Sequence, residues 1–150
     1  RDPMRAIQTK KYLYLFNPWS NGERIFATAT NGTVTCKRMI ALSEEDEEMN
    51  KRLELYRFRV PEELYQVNQD PDCLDNLIDY ASKEKERIRL EGLLEEWMVR
   101  TKDPILETFR NRDDPELVEA YVQKLEAEAN ARRIANKPKS PKKAQLKKKP

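Results

Sequence analysis

Apolar residues change their spacing along the chain, and the changes mark out the elements. In the run Tyr12 to Phe16, Tyr12, Tyr14 and Phe16 share one side while Leu13 and Leu15 take the other. Apolar residues on both sides predict a strand covered on both faces. Pro18 cannot donate to a ladder, and Asn21-Gly22 suits a tight turn, so "NPWSNG" ends this element. Two runs follow, "ERIFATAT" and "TVTCK", with Asn31-Gly32 between them. Such runs around Asn-Gly predict a hairpin, and residues 10–38 read together as an antiparallel meander.

Helical spacing takes over next. Ser43 followed by Asp46 fits a loose capping box, and the acidic run Glu44 to Glu48 suits the positive end of a helix dipole. Met49, Leu53 and Tyr56 recur at helical spacing, and the helix should stop before Pro61. A brief strand is expected over Leu64 to Val67, then a turn at "NQDP". A long helix at about 82–101 carries Leu90, Leu93, Leu94, Trp97, Met98 and Thr101 on one stripe, which predicts a core role for Trp97. Gly92 in its middle costs about 1 kcal/mol relative to Ala. Asp114-Pro115 opens a last helix whose stripe is Leu117, Val118, Tyr121, Val122 and Leu125. The pattern predicts an α+β fold: an antiparallel sheet of about four strands, helices on one face, and a helical C-terminal extension.

Composition narrows the chemistry. The 150 residues suffice for one domain with a core, and 37% of them are charged. No run approaches the roughly 20 apolar residues of a membrane span, and no apolar N-terminal segment resembles a signal peptide. Opening on Arg1, the chain reads as a piece of a longer protein or a processed product. It contains no histidine, which removes Ser-His-Asp triads, Cys-His dyads and His-based metal sites. Cys36 and Cys73 are too few for a four-thiolate zinc site and read as free thiols, although one disulfide between them is open. The three glycines form no phosphate-binding loop. Residues 137–150 hold seven lysines and no acid, so the net charge of +2 hides an acidic remainder. That tail predicts disorder. Without interleaved aromatics, it does not point to nucleic acid.

Several phrases carry a resemblance. "PMRAIQTKKYLYLFN", "YRFRVPEELY", "ELYQVNQDPDCLDNLI" and "LEEWMVRTKDP" occur in that order between Pro3 and Pro104. They resemble the C-terminal subdomain of type I, formylglycine-dependent sulfatases, most closely the heparan N-sulfatase (N-sulfoglucosamine sulfohydrolase) branch. Gln66 departs from the usual Asp of the Glu-Leu-Tyr-Asp phrase. The resemblance implies residues 1–104 as the subdomain, 105–136 as a helical extension and 137–150 as a tail. It implies a parent enzyme with calcium and a formylglycine made in a Cys/Ser-x-Pro/Ala-x-Arg motif, exported to a periplasmic, extracellular or lysosomal space. Neither cysteine here stands in that motif, nor do Ser20 and Ser140, so the catalytic residues are expected in a preceding domain and the fragment alone is expected to be inactive. Its partners would be that N-terminal domain and a sulfated sugar, with no nucleic acid and no membrane.

In such enzymes the small subdomain borders the substrate cleft. The loop "NPWSNGER" is the expected wall, with Trp19 stacking on a sugar ring, Asn21 bonding hydroxyls and Arg24 pairing with a sulfate or carboxylate. Lys37 and Arg38 are weaker candidates for the same wall. The competing reading is that Trp19 packs beneath its own loop. A different class of function also fits: a free-standing, non-catalytic interaction module whose basic tail docks on an acidic partner.

Overall fold

The structure, a computed structural model, describes residues 2–136. Its fold is α+β, built on a three-stranded antiparallel sheet in the order β1 (Arg5–Gln8), β2 (Leu13–Phe16), β3 (Glu62–Tyr65). Between β2 and β3 come a short 3-10 turn, Ala29–Gly32, and two helices, α1 (Val34–Leu42) and α2 (Glu47–Phe58). After β3 come α3 (Glu84–Thr101), α4 (Leu106–Arg110) and α5 (Pro115–Ala135).

The register sets which backbone groups the sheet uses. Thr9 N–H donates to Tyr12 O at 2.8 Å, closing the β1–β2 turn. Counting back along the pairs Ile7–Tyr14 and Arg5–Phe16, the N–H and C=O groups of Ala6 and Gln8 point away from β2. By the same alternation, β3 turns Glu62 and Leu64 outward. That outer edge is sealed by the chain itself. Leu64 N–H donates to Asn76 Oδ1 at 2.8 Å, Leu77 N–H donates to Leu64 O at 2.8 Å, and Asn76 Nδ2 donates to Glu62 O at 3.3 Å. Asp70 holds the turn before this latch, accepting from Leu74 N–H and Asp75 N–H. The phrase "NQDPDCLDNL" is therefore an edge seal.

The core lies between the sheet and the helices that follow it. Tyr14, Phe16 and Leu64 project from one face of the sheet onto Leu90, Leu94 and Met98 of α3 and onto Ile105 and Phe109. Phe109 meets both Phe16 and Tyr14 edge-on, at 5.1 and 6.5 Å between centroids. The expected extension thus contributes core residues. The opposite face is covered too, since Leu15, Glu63 and Tyr65 are buried. Helix α5 begins as the sequence indicates, with Asp114 as N-cap accepting from Glu116 and Leu117 N–H, and Pro115 in the first turn.

Several expectations are corrected. The hairpin around Asn31-Gly32 does not form, which leaves three strands in place of about four. A two-residue turn of that type needs positive φ at both central residues, and neither Asn31 nor Gly32 has it. Thr33 instead caps α1 by accepting from Cys36 N–H, while Asn31 bonds Phe26 O and Tyr56. The stretch Lys37 to Leu42, rich in good helix formers, then carries the helix onward. Ser43 closes α1, and Asp46 alone caps α2. Trp97 is 40% exposed and Leu93 36%, so only Leu90, Leu94 and Met98 of the expected stripe reach the core. The first element also divides, with Thr9 to Tyr12 turning β1 into β2. The Lys-rich tail, residues 137–150, lies outside the described residues.

Candidate functional site

The loop after β2 places the residues expected to face a sugar. Asn21 Oδ1 accepts from Glu23 N–H and Arg24 N–H, and Gly22 supplies the positive φ of 82° that the turn needs. Asn21 is exposed. Arg24 leaves the turn toward α5, where its guanidinium forms a two-pronged pair with Glu119 at 2.8 and 2.6 Å, and Glu126 lies 3.6 Å from Nε. Hydrogen bonding to Arg24 holds the Glu119 carboxyl below its ordinary value, against the opposing effect of burial. Lys37 and Arg38 are exposed on the first turns of α1.

Trp19 is the correction here. Its side chain is fully buried and its ring stacks on Phe26, 5.1 Å between centroids and 13° between planes. No ring face is left for a pyranose. Pro18 and Trp19 sit between two anchors: Asn17 donates to Val60 O and Glu63, and Ser20 donates to Phe58 O. Packing decides the matter, because a large apolar ring beside Phe26 gains more from burial than from water contact. Of the five expected residues, Asn21 and Arg24 are joined by the Arg24 N–H, and Lys37 and Arg38 are chain neighbours on α1; among the described residues no hydrogen bond or ion pair links the loop residues to the α1 pair.

The ionic chemistry lies elsewhere. Glu63 is completely buried and accepts from four donors: Arg59 Nε at 2.8 Å, Arg59 Nη2 at 2.6 Å, Asn17 Nδ2 at 2.6 Å and Tyr65 Oη at 2.7 Å. Arg59 reaches this carboxylate from a residue with φ of 51°, so its backbone is held in the left-handed region. A second cluster lies on the opposite face of the sheet, at the adjacent residue of β3. Tyr14 donates to Glu62, and Arg112 pairs with Glu91 at 2.7 Å and with Glu62 at 3.3 Å while resting over the Phe109 ring. Burial, then the Glu62 charge, pushes the Tyr14 hydroxyl far above the ordinary tyrosine range, so it remains a proton donor. A third contact joins chain ends: Arg5 grips Asp103 through Nε at 2.6 Å and Nη2 at 3.0 Å. Each of these carboxylates is matched to a guanidinium, an arrangement suited to fixing strands and loops to one another.

The sequence reading missed these clusters because their partners are far apart in the chain. The local signals were two i, i+4 spacings: Arg59 with Glu63, which spans a helix end and a strand start, and Arg87 with Glu91, whose carboxylate also takes Arg112. Cys36 and Cys73 are both free thiols. Among the described residues no three His, Cys, Asp or Glu side chains gather as metal ligands, and no helix is long and apolar enough to cross a membrane. No protein-family model matches the chain, and no curated protein matches it.

Proposed function

We propose that this chain is the C-terminal subdomain of a formylglycine-dependent sulfatase acting on sulfated sugars, most like the heparan N-sulfatase branch. Its work is to complete the enzyme's fold and to border the substrate pocket, while hydrolysis belongs to a preceding domain. The supporting observation is that the phrases carrying the resemblance are distant in sequence yet adjacent in space. "PMRAIQTKKYLYLFN" makes β1 and β2, "EELY" makes β3 beside them, "NQDPDCLDNL" seals β3, and "TKDP" supplies Asp103, which returns to Arg5. Each phrase therefore has a joint to make, which accounts for their residue types without any catalytic role. Gln66, the departure, accepts from Lys83 Nζ at 2.7 Å and so keeps an acceptor at that position.

Within this reading Asn21, Arg24, Lys37 and Arg38 remain the pocket-facing candidates, and Trp19 becomes the anchor that holds their loop. Calcium and the formylglycine would both be held by the preceding domain. The formylglycine would supply the nucleophile for sulfate hydrolysis, and this chain's part would be confined to placing cationic and amide groups at the rim. Peptide mapping of the longer natural protein by mass spectrometry tests the proposal. A formylglycine in a Cys/Ser-x-Pro/Ala-x-Arg segment upstream of Arg1 is expected. A longer protein in which no such segment precedes these residues would overturn it.

A further inference from the structure

The two edges of the sheet are treated differently. The chain closes the β3 edge with Asn76 and Leu77, but among the described residues nothing hydrogen-bonds the outer edge of β1, where the N–H and C=O groups of Ala6 and Gln8 face outward. Four strong backbone groups in a row form a template for another strand. Beside them runs a groove of about 490 Å³ between the edge and α3, lined by Ala6, Gln8, Leu93, Glu96, Trp97 and Arg100. Leu93 and Trp97, which the helical stripe would place in the core, are half-exposed because they face this groove. Glu96 and Arg100 stand on its rim with opposite charges, and neither side chain has a hydrogen bond or ion pair among the described residues.

We propose that this edge is an interface between two copies of the chain, joined about a two-fold axis through β1. A two-fold pairing centred on Ile7 sets Ala6 of one copy against Gln8 of the other, and both pairs exchange N–H and C=O. This register uses all four open groups on each copy, whereas one centred on Ala6 or Gln8 leaves some of them facing Met4 or the Lys10 turn. It extends two three-stranded sheets into one of six strands. The two-fold lies perpendicular to the sheet, so both α3 helices fall on the same face and run antiparallel. Antiparallel helices bring the Leu93–Trp97 surface of one copy to that of the other. They also set the Glu96 end of each stripe toward the Arg100 end of its neighbour, so the rim charges of the two copies complement one another when the surface meets itself.

Analytical ultracentrifugation of the full 150-residue chain, from micromolar to millimolar concentration, tests the proposal. A monomer–dimer equilibrium is expected. Ala6→Pro deletes only an outward-facing donor and should weaken the dimer about tenfold or more. Trp97→Glu should do the same, which covers the case in which Ala6→Pro does not fold. Glu96→Arg and Arg100→Glu should each weaken association, and the two together should restore much of it. A chain that stays monomeric throughout would overturn the proposal, as would a dimer indifferent to both Trp97→Glu and the charge reversals. A third outcome also counts against it: a longer natural protein that is monomeric yet protects the Ala6 and Gln8 amides from hydrogen exchange, which would assign the edge to an internal strand. None of these readouts depends on sulfatase activity, so failure here and failure of the functional proposal are separable.

Discussion

Removing Asp103 should show how much of the domain's stability passes through the Arg5 clasp. The Asp103 side chain is 5% exposed and that of Arg5 26%. Asp103→Ala deletes two charge-assisted hydrogen bonds to the guanidinium and the acceptor for Ile105 N–H at 2.9 Å. Breaking a fully buried pair by removing one member costs about 3–5 kcal/mol. A guanidinium that still reaches water recovers part of its hydration, which lowers the expected loss to about 2–3 kcal/mol. For a domain of this size that corresponds to a fall of roughly 5–10 °C in Tm. Urea denaturation of Arg5→Ala, Asp103→Ala and the double variant gives the coupling directly, and about 1.5–2 kcal/mol is expected. The effect should also depend on pH. Burial raises the Asp103 carboxyl, but the Arg5 hydrogen bond, the Ile105 N–H and the Arg5 charge together outweigh it and leave the value lowered from 3.8. With a depressed folded-state value, the unfolded chain takes up the proton first as pH falls. The advantage of the native chain over Asp103→Ala is therefore complete above the ordinary aspartate range and shrinks as pH drops below it. A coupling under about 0.5 kcal/mol at neutral pH, or an advantage that grows on acidification, would refute the reasoning.

Leu94→Ala, at a position 1% exposed, should cost about 2–5 kcal/mol, and Trp97→Ala less than half as much despite its larger ring. Paired denaturant melts test the ordering, and a costlier Trp97→Ala would contradict the exposed placement of that residue. Asn76→Ala should remove the seal on β3 and leave Leu64 N–H without its acceptor, a loss of about 1–3 kcal/mol, with faster amide exchange at Leu64 as its local signature. Weakening the Arg24–Glu119 pair by Glu119→Gln should leave global stability within about 1 kcal/mol, since both groups remain partly in water. A larger change in the melt would show that this clasp carries the fold.

Much of the fold was legible where the apolar spacing was long and the punctuation firm. Helix α3 and the start of α5 were readable because their stripes run for many turns and Asp114-Pro115 is a strong start signal. The region 24–38 misled because a run of Thr and Val around Asn-Gly satisfies a hairpin pattern and a Thr-capped helix equally well. The choice lay in φ values and in the Asn31 side chain's bonds to Phe26 O and to Tyr56, the second of which arrives from α2, 25 positions on. Trp97 misled for a related reason. A 100°-wide stripe has two margins, and the sequence does not say which margin faces the sheet. At the candidate site, the turn at Asn21-Gly22 was readable from two residues. The burial of Trp19 against Phe26 and the reach of Arg24 to Glu119, 95 positions away, were not. The Glu63 and Arg112 clusters share that difficulty, because a buried carboxylate looks like a solvated one until its donors arrive from other elements.

We propose that this chain is part of a sulfatase and does no chemistry alone. The most direct measurement is sulfate release from N-sulfoglucosamine and from an aryl sulfate, with calcium present. It should be made on the longer natural protein, on that protein truncated before Arg1, and on the chain from Arg1 onward. Turnover by the longer protein, none above the buffer rate by the chain alone, and loss of activity in the truncated protein are expected. Turnover by the repurified chain, or a longer protein that is folded and releases no sulfate from either substrate, would contradict it.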